Sequence, residues 1–296
     1  MNTHKPRRAR RAPSRWSGYL FALPFLTLFT MFLIAPLLYG FGISLAEWEM
    51  LSGAPPRFAG LGNFVEAIQS DYAIKALWVT IQFVVLSVPL TVATALLVAA
   101  GLQAVPASRQ SFYRAAYFLP SVLTISVVGI LWRWFYNSEF GLFNAYLMGY
   151  GLKIPWLTDT VWAMRSIVLM TLWWTVGGPM VILLAGLHGI PAQLNEAASL
   201  DGAKGWQRFL YITLPLLKPV LLFVVVMNII GGFQVFGQTF MVTRGGPELA
   251  TRSMVQYIYE TAFNNYRMGY AAALSWLLFV VIAAFSFVQF RVMKES

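Results

Sequence analysis

The sequence contains no cysteine and only two histidines, His4 and His188. Without cysteine, the chain can form neither disulfide bonds nor thiolate sites. Two isolated histidines also provide no cluster for a metal ion or a general base, because such sites need convergent ligands or an orienting partner. We therefore expect no catalytic residue, no metal ligand and no cofactor in this chain.

Charged residues are scarce as well. They make up 11% of the chain, whereas 58% of it is hydrophobic, and the mean hydropathy is +0.66. Ordinary soluble domains contain about 25% charged residues, so this chain has too few charged residues to cover the surface of a soluble domain of its size. A helix that spans a bilayer needs about 20 predominantly apolar residues. Charge-free runs of sufficient length are 16–46, 76–108, 115–132, 166–195, 219–243 and 268–290.

The sequence thus predicts an all-α polytopic membrane protein with six transmembrane helices. Their approximate bounds are 17–45, 76–101, 115–136, 166–187, 219–242 and 268–290. Residues 16–290 then form one membrane domain between two tails, 1–15 and 291–296. The first run is much longer than the apolar part of a signal peptide and has no small-x-small cleavage site, so we interpret it as an uncleaved span.

Lys and Arg are distributed unequally between the two sets of loops. With a cytoplasmic N-terminus, the inner segments hold 13 Lys and Arg with 3 acidic residues, and the outer segments hold 8 of each. Because basic residues near spans are retained in the cytoplasm, both termini and residues 188–218 are expected inside. These basic residues also explain the high isoelectric point. Their role is to set the topology and to contact anionic membrane lipid, so no nucleic-acid partner is implied.

The chain also lacks the residues that would power transport. None of its five lysines follows a glycine, so the phosphate-binding pattern G-x-x-x-x-G-K-[ST] is absent. The long runs leave almost no ionisable side chain at membrane depth, where ion-driven carriers commonly place one. The motive force must therefore come from a partner or from a gradient.

One cytoplasmic connection is unusual in composition. Residues 188–218 predict two short helices joined at the turn dipeptide Asp201-Gly202, with Pro215 and Pro219 ending the second helix. Interfacial helices of this kind often merely cover the ends of spans. A second interpretation, a specific function for this segment, depends on the order of its residues. Glu196-Ala197-Ala198 is followed by Asp201-Gly202-Ala203, then by Phe209 and Leu214-Pro215.

This order resembles the cytoplasmic EAA loop of ABC importer permeases. Within that superfamily, the chain resembles the carbohydrate-uptake permeases of the maltose and glycerol-3-phosphate type over roughly residues 17–290. It departs from them at Arg244, where members commonly have glycine before Gly-Gly-Pro, and it is similar to the plainer six-span form. Shorter matching motifs lie at 58–64, 114–120, 132–134, 141–144, 185–187 and 243–247.

The resemblance implies a permease in a bacterial or archaeal cytoplasmic membrane that works with several partners. They are a second permease subunit, two ATPase subunits that hydrolyse ATP, and an extracytoplasmic solute-binding protein. The loop would dock in the ATPase, with Glu196 paired to a basic residue and Gly202 permitting the elbow. Its remaining contact residues would be Ala197, Ala198, Leu200, Asp201 and Ala203.

Polar and small residues in spans four and five mark a candidate solute pathway. They are Trp174, Thr175, Gly178, Asn228, Gly231, Gly232 and Gln234. Buried amides in a membrane need partners, so they face protein or a wet cavity. They could simply let helices pack and hydrogen-bond, or they could bind a sugar through stacking and hydroxyl contacts.

Two other functions compete with the importer subunit. A gradient-driven carrier or channel would need ionisable residues at depth or an internal repeat, and a membrane-embedded enzyme would need an acid–base or metal set. The sequence shows none of these features. It does not identify the solute within the class of sugars, polyols and their esters.

Overall fold

The computed structural model describes residues 15–295, and almost all of them are helical. The predicted tail 1–15, apart from Arg15, and the last residue of the tail 291–296 lie outside this range. The first half of the chain comprises α1 (Arg15–Phe29), a π-helical turn (Thr30–Ile34), α2 (Ala35–Ser44), β1 (Ala46–Glu47), a 3-10 turn (Met50–Ser52), β2 (Arg57–Phe58), α3 (Gly62–Gln69), α4 (Asp71–Gln103), α5 (Ala107–Val122), α6 (Ile125–Phe135) and α7 (Leu142–Met148).

The second half continues the same pattern of long apolar helices and short connections. It comprises α8 (Thr160–Thr175), α9 (Gly177–His188), α10 (Ala192–Leu200), α11 (Gly205–Arg208), a π-helical turn (Phe209–Thr213), α12 (Leu214–Phe233), α13 (Gly237–Val242), α14 (Met254–Tyr259), a π-helical turn (Glu260–Asn264) and α15 (Met268–Glu295). Strands β1 and β2 pair antiparallel.

The all-α polytopic fold is confirmed, whereas the number of spans stays a prediction. Within the described residues, four helices are long and apolar enough to cross a membrane without a break. Two further pairs, α5 with α6 and α8 with α9, are bent by 94° and 50°, so the count reaches six if each pair is one span. The single membrane domain over 16–290 and its predicted boundaries also remain predictions.

The helix α4 lies at the centre of the core. It packs against α8, α9 and α12, and it buries alanines at 76, 95 and 99 that let neighbouring helices approach closely. Its first turn begins five residues before the predicted start at 76. Ser70 explains the earlier start, because its hydroxyl caps the helix by accepting from the Ala73 amide.

The predicted third span, 115–136, is not one straight helix. Residues Leu123 and Thr124 are extended between α5 and α6, just after Pro120, which cannot donate the amide hydrogen bond of a regular helix. The indole of Trp174 donates to the Leu123 carbonyl oxygen at 3.1 Å, so one backbone group at the break is satisfied.

The bend between α8 and α9 falls at Val176, next to the Gly177-Gly178-Pro179 sequence that predicts a weakened helix. A β-carbon on Gly177 would lie 2.5 Å from the Tyr117 carbonyl oxygen and 2.7 Å from the α-carbon of Phe118. Glycine at 177 thus allows the bend to pack directly on α5.

Two residues of α3 connect the end of α2 with the start of α15. The Asn63 side-chain amide donates to the Ser44 and Ala46 carbonyl oxygens at 3.0 and 2.9 Å. Arg267 forms a bidentate pair with Glu66 at 2.7 Å. Asn63 belongs to the 58–64 motif, so that motif has a structural role in this fold.

The loop that contains Gly245 has an unusual backbone. Arg244 adopts a φ of 52° and Gly245 a φ of 84°, and the left-handed region costs glycine little. A glycine at position 244 would therefore adopt this φ at less steric cost than Arg244 does. The Thr243 and Thr251 hydroxyls, 2.7 Å apart, hold the loop together.

Replacement of Gly269 by alanine should destabilise the fold, because the new β-carbon would overlap the Ala46 carbonyl oxygen. We expect a loss of about 1–3 kcal/mol, as for other overpacked sites, and a lower melting temperature of the detergent-solubilised protein. Gly40→Ala is the matched control, since no atom lies within 4 Å of a β-carbon there. Equal melting temperatures for the two variants would contradict this packing.

Candidate functional site

The first half of the predicted coupling loop, residues 188–218, consists of α10 and a tight turn. Gly202 adopts a φ of 81°, which glycine reaches without steric cost. The Ala203 amide donates to the Ala198 carbonyl oxygen at 2.9 Å, and the Gly202 amide donates to that of Ser199 at 3.2 Å. This pair of bonds ends a helix in the Schellman arrangement. The predicted glycine elbow is therefore present.

The second half of the loop continues into a long helix. The Lys204 amide donates to the Gln207 side-chain oxygen at 2.7 Å, and α11 begins at the next residue. From there, one unbroken helix of 29 residues extends over Gly205–Phe233. The prediction that Pro215 and Pro219 end the second loop helix is wrong.

A π-helical turn explains why the helix continues. Proline inside a helix lacks the amide hydrogen and crowds the carbonyl four residues earlier. Here the Leu214 amide bonds to the Phe209 carbonyl oxygen five residues back, directly before Pro215. Local π-helical adjustments of this kind satisfy backbone groups near a proline. The elbow is thus joined to α12 without a break.

The tip of the loop is largely exposed. The side chain of Leu200 is 90% exposed, and Glu196, Ala197, Asp201 and Gly202 are exposed too, whereas Ala198 and Ala203 are half-buried. Within the described residues, neither the Glu196 nor the Asp201 carboxylate has a hydrogen bond or an ion pair. The tip therefore presents one apolar side chain and two carboxylates without internal partners.

A polar groove lies between this loop and the ends of α4 and α9. Its volume is about 510 Å³. Arg208 and Glu196 both line it, together with His188 and Asn195, and Arg208 donates to the Asn195 carbonyl oxygen at 3.4 Å. A cation of this chain therefore lines the same groove as the loop carboxylate, although the two form no ion pair, and sequence reasoning did not anticipate this arrangement.

A cavity of about 300 Å³ lies among α4, α8, α9 and α12, with α13 at one edge. Five predicted pathway residues line it: Thr175, Gly178, Asn228, Gly231 and Gly232. The other lining residues are Phe83, Ser87, Val88, Thr91, Thr171, Pro179, Ile182, Val224, Met227 and Gln238. Among these described residues, the polar side chains are hydroxyls and amides, and none is charged.

The polar groups of the cavity differ in their hydrogen bonding. Thr175 donates to the Thr171 carbonyl oxygen at 2.8 Å, and the Asn228 amide donates to that of Val224 at 2.8 Å. Such bonds within a helix leave acceptor capacity on the Thr175 hydroxyl, and one amide hydrogen and the side-chain oxygen on Asn228. The Thr171 hydroxyl is buried, with 7% of the residue exposed, and has no protein partner. These groups can bind hydroxyls of a solute or water.

Two predicted pathway residues do not line the cavity. Trp174 instead bonds to the break between α5 and α6, and Gln234 is an exposed residue at the end of α12. Conversely, sequence reasoning missed Ser87 and Thr91 on α4. Their spacing of four residues places both hydroxyls on one face of an otherwise apolar helix, which is the signal that could have identified them.

No described group of three or more His, Asp or Glu side chains could hold a metal ion. The arrangement therefore combines an exposed cytoplasmic-type loop at residues 188–218, one long helix that leads away from it, and an uncharged polar cavity beside that helix.

Comparisons with known proteins agree with this arrangement. The family described as "Binding-protein-dependent transport system inner membrane component" matches residues 73–294. The lactose transport system permease protein LacF of Rhizobium radiobacter is 33% identical, over 94% of each chain. The trehalose/maltose transport system permease protein MalF of Thermococcus litoralis is 35% identical, over 93% of this chain and 92% of that protein.

The fold is also similar to solved structures. A crystal structure of a bacterial ABC transporter involved in the import of the acidic polysaccharide alginate has a TM-score of 0.79 at 24% identity, over 95% of this chain and 96% of that chain. The alginate transporter in complex with an alginate pentasaccharide-bound periplasmic protein gives a TM-score of 0.78 at 24% identity, over 93% and 92%. At 24% identity, the similarity to these structures shows a shared fold.

Two adjacent glycines in α12 should respond differently to leucine. No atom lies within 4 Å of a β-carbon at Gly231, whereas one at Gly232 would lie 3.1 Å from Val84. Gly231→Leu should therefore fill the cavity and retain the wild-type melting temperature. Gly232→Leu should lower the free energy of unfolding by about 1–3 kcal/mol, and its melting temperature should therefore be lower. The reverse order of melting temperatures would show that the cavity is assigned to the wrong side of α12.

Proposed function

Because this chain belongs to the family of binding-protein-dependent transport system inner membrane components, we propose that its cavity forms half of a pathway for a sugar or polyol. Members of this family are multi-pass permease subunits of ATP-driven importers, and the ATPase activity resides in other subunits. The chain is accordingly a non-catalytic permease subunit of an ABC importer.

The chemistry of the cavity supports an uncharged solute. Hydroxyls and amides such as those of Thr171 and Asn228 match the hydroxyl groups of a sugar or polyol. No described lining residue carries the positive charge that would favour a phosphate or carboxylate group. Uptake should therefore be lost in the Gly231→Leu protein, because the leucine side chain would occupy the space that the solute crosses.

The partners follow from the surfaces that the chain exposes. We propose a second permease that completes the pathway, two ATPase subunits that contact the coupling loop, and a solute-binding protein outside the cell. The periplasmic protein bound to the alginate transporter supports the last of these. Leu200, which is 90% exposed, supports docking of the loop into an apolar cleft of an ATPase.

The unbroken helix Gly205–Phe233 carries the proposal for coupling. One end of this helix adjoins the glycine elbow, and residues near its other end, including Asn228 and Gly231, line the cavity. Closure of the ATPase subunits would move the loop as a rigid body. Since no break separates the two ends of the helix, this movement would reach the cavity and change its access from one side of the membrane to the other.

Glu196→Ala and Gly202→Val should each abolish uptake in a chain that still inserts. The carboxylate can form a charge-assisted bond that contributes about 1.5–3 kcal/mol to docking, which corresponds to roughly a tenfold or greater loss of affinity. A β-branched residue at a φ of 81° strains the elbow and misdirects both helices. In the reconstituted complex, ATP hydrolysis should no longer respond to the loaded binding protein.

Matched controls separate these effects from general damage to the loop. Gln193→Ala removes an exposed side chain from α10, and Gly205→Ala adds a β-carbon in open space where the glycine has no positive φ. Both controls should support uptake. Wild-type uptake by Glu196→Ala and Gly202→Val would exclude a coupling role for these two residues.

The coupling proposal requires residues 188–218 and both termini to be cytoplasmic. The chain has no cysteine, so single cysteines at the exposed positions Gln193 and Lys153 report their own side of the membrane. An impermeant thiol reagent added to intact cells should label Lys153→Cys and not Gln193→Cys. Labelling of Gln193→Cys from outside would show that the orientation is inverted.

A further inference from the structure

An open groove lies between the first turns of α4 and α8, separate from the cavity. Its volume is about 680 Å³. Most of its wall is apolar, and much of that wall is exposed, including Trp78 at 58%. We name this feature the basic groove, and its lining residues are Lys75, Trp78, Val79, Ile81, Gln82, Val85, Leu86, Thr160, Val161, Met164, Arg165 and Ala250.

The basic groove and the cavity use opposite faces of α4. Successive residues of a helix are rotated by about 100°, so Lys75, Trp78 and Val85 share one face of the helix. Ser87 and Thr91 lie on a face rotated by roughly 160° from it. The basic groove therefore opens away from the solute pathway.

Two cations lie at the end of the basic groove where both helices begin. Lys75 donates from its ammonium group to the Glu248 carbonyl oxygen at 2.8 Å, and the Arg165 guanidinium lies 5.3 Å from the centroid of the Trp162 ring. Among the described residues, neither cation has an ion pair, and the lining contains no carboxylate. The lining residues therefore carry two formal positive charges and no negative charge.

The acidic residues near this end are Asp71, Asp159 and Glu248, and none of these described residues forms an ion pair with either cation. The Asp159 carboxylate caps α8 by accepting from the Val161 and Trp162 amides, both at 2.9 Å. Glu248 contributes its backbone carbonyl, rather than its carboxylate, to the contact with Lys75. Lys75 and Arg165 thus lie without an ion pair at the mouth of the basic groove.

We propose that the basic groove binds one anionic phospholipid. Its phosphate would lie between Lys75 and Arg165, and an acyl chain would extend along Ile81, Val85 and Leu86. Helix starts lie at headgroup depth, where tryptophans such as Trp78 also concentrate. The predicted orientation places Lys75 and Arg165 at the outer side of the membrane, where the headgroup of an outer-leaflet lipid would meet both charges while its acyl chain contacts the apolar wall.

Native mass spectrometry of the purified complex tests this site. The probes are phosphatidylglycerol and phosphatidylcholine with identical acyl chains, added at equal concentration to the detergent-solubilised importer. We expect a phosphatidylglycerol adduct whose affinity falls about fivefold in Lys75→Gln or Arg165→Gln and roughly thirtyfold in the double variant. Phosphatidylcholine should bind weakly to all of these proteins.

Two controls keep the result specific. Lys153→Gln removes an exposed cation away from the groove and should leave the adduct unchanged. The charge-retaining pair Lys75→Arg with Arg165→Lys should restore binding, which a merely misfolded groove would not do. Equal affinity of wild type and the Lys75→Gln, Arg165→Gln double variant would overturn the proposal. Loss of the second permease or of the binding protein from that double variant would assign the groove to a protein interface and would also overturn it.

Discussion

Coupling between the loop and the cavity, as proposed, depends on the continuity of one helix. Gly205–Phe233 begins at the glycine elbow of the coupling loop and ends beside the cavity, and the π-helical turn keeps it intact ahead of two prolines. A flexible joint at Pro215 or Pro219 would absorb movement of the loop before it reached Asn228. Because the helix has no break, the proposed movement of the loop would be transmitted to the cavity.

The bends in the other spans complement this rigid helix. Breaks between α5 and α6 and between α8 and α9 lie close together, and Gly177 and the indole of Trp174 fix their contact. A helix break leaves backbone groups that lipid cannot satisfy, so irregular backbone at membrane depth must be covered by protein or face a wet cavity. The cavity lies where one bent pair, α8 and α9, faces the straight helices α4 and α12.

Much of this architecture follows from local chemistry that a single sequence displays. Charge-free runs predict the membrane helices, and Asp201-Gly202 predicts the left-handed elbow, since both depend on neighbouring residues. The unbroken passage through Pro215 and the extended Leu123 are backbone conformations near a proline that the sequence alone does not choose between. Which face of α4 lines the cavity, and so the place of Ser87 and Thr91 in it, depends on packing between distant segments. For the same reason, Trp174 could not be separated by sequence from the residues that line the cavity.

The most direct test of the coupling account is a distance measured along the proposed rigid helix. Spin labels on Leu210→Cys and Phe223→Cys would flank Pro215 and Pro219, about 20 Å apart at 1.5 Å per residue. We expect this distance to be the same in the nucleotide-free and ATP-bound importer, while the distance from Leu210→Cys to a label on Val280→Cys in α15 changes. A change between Leu210→Cys and Phe223→Cys on ATP binding would place a hinge at the prolines and contradict the account.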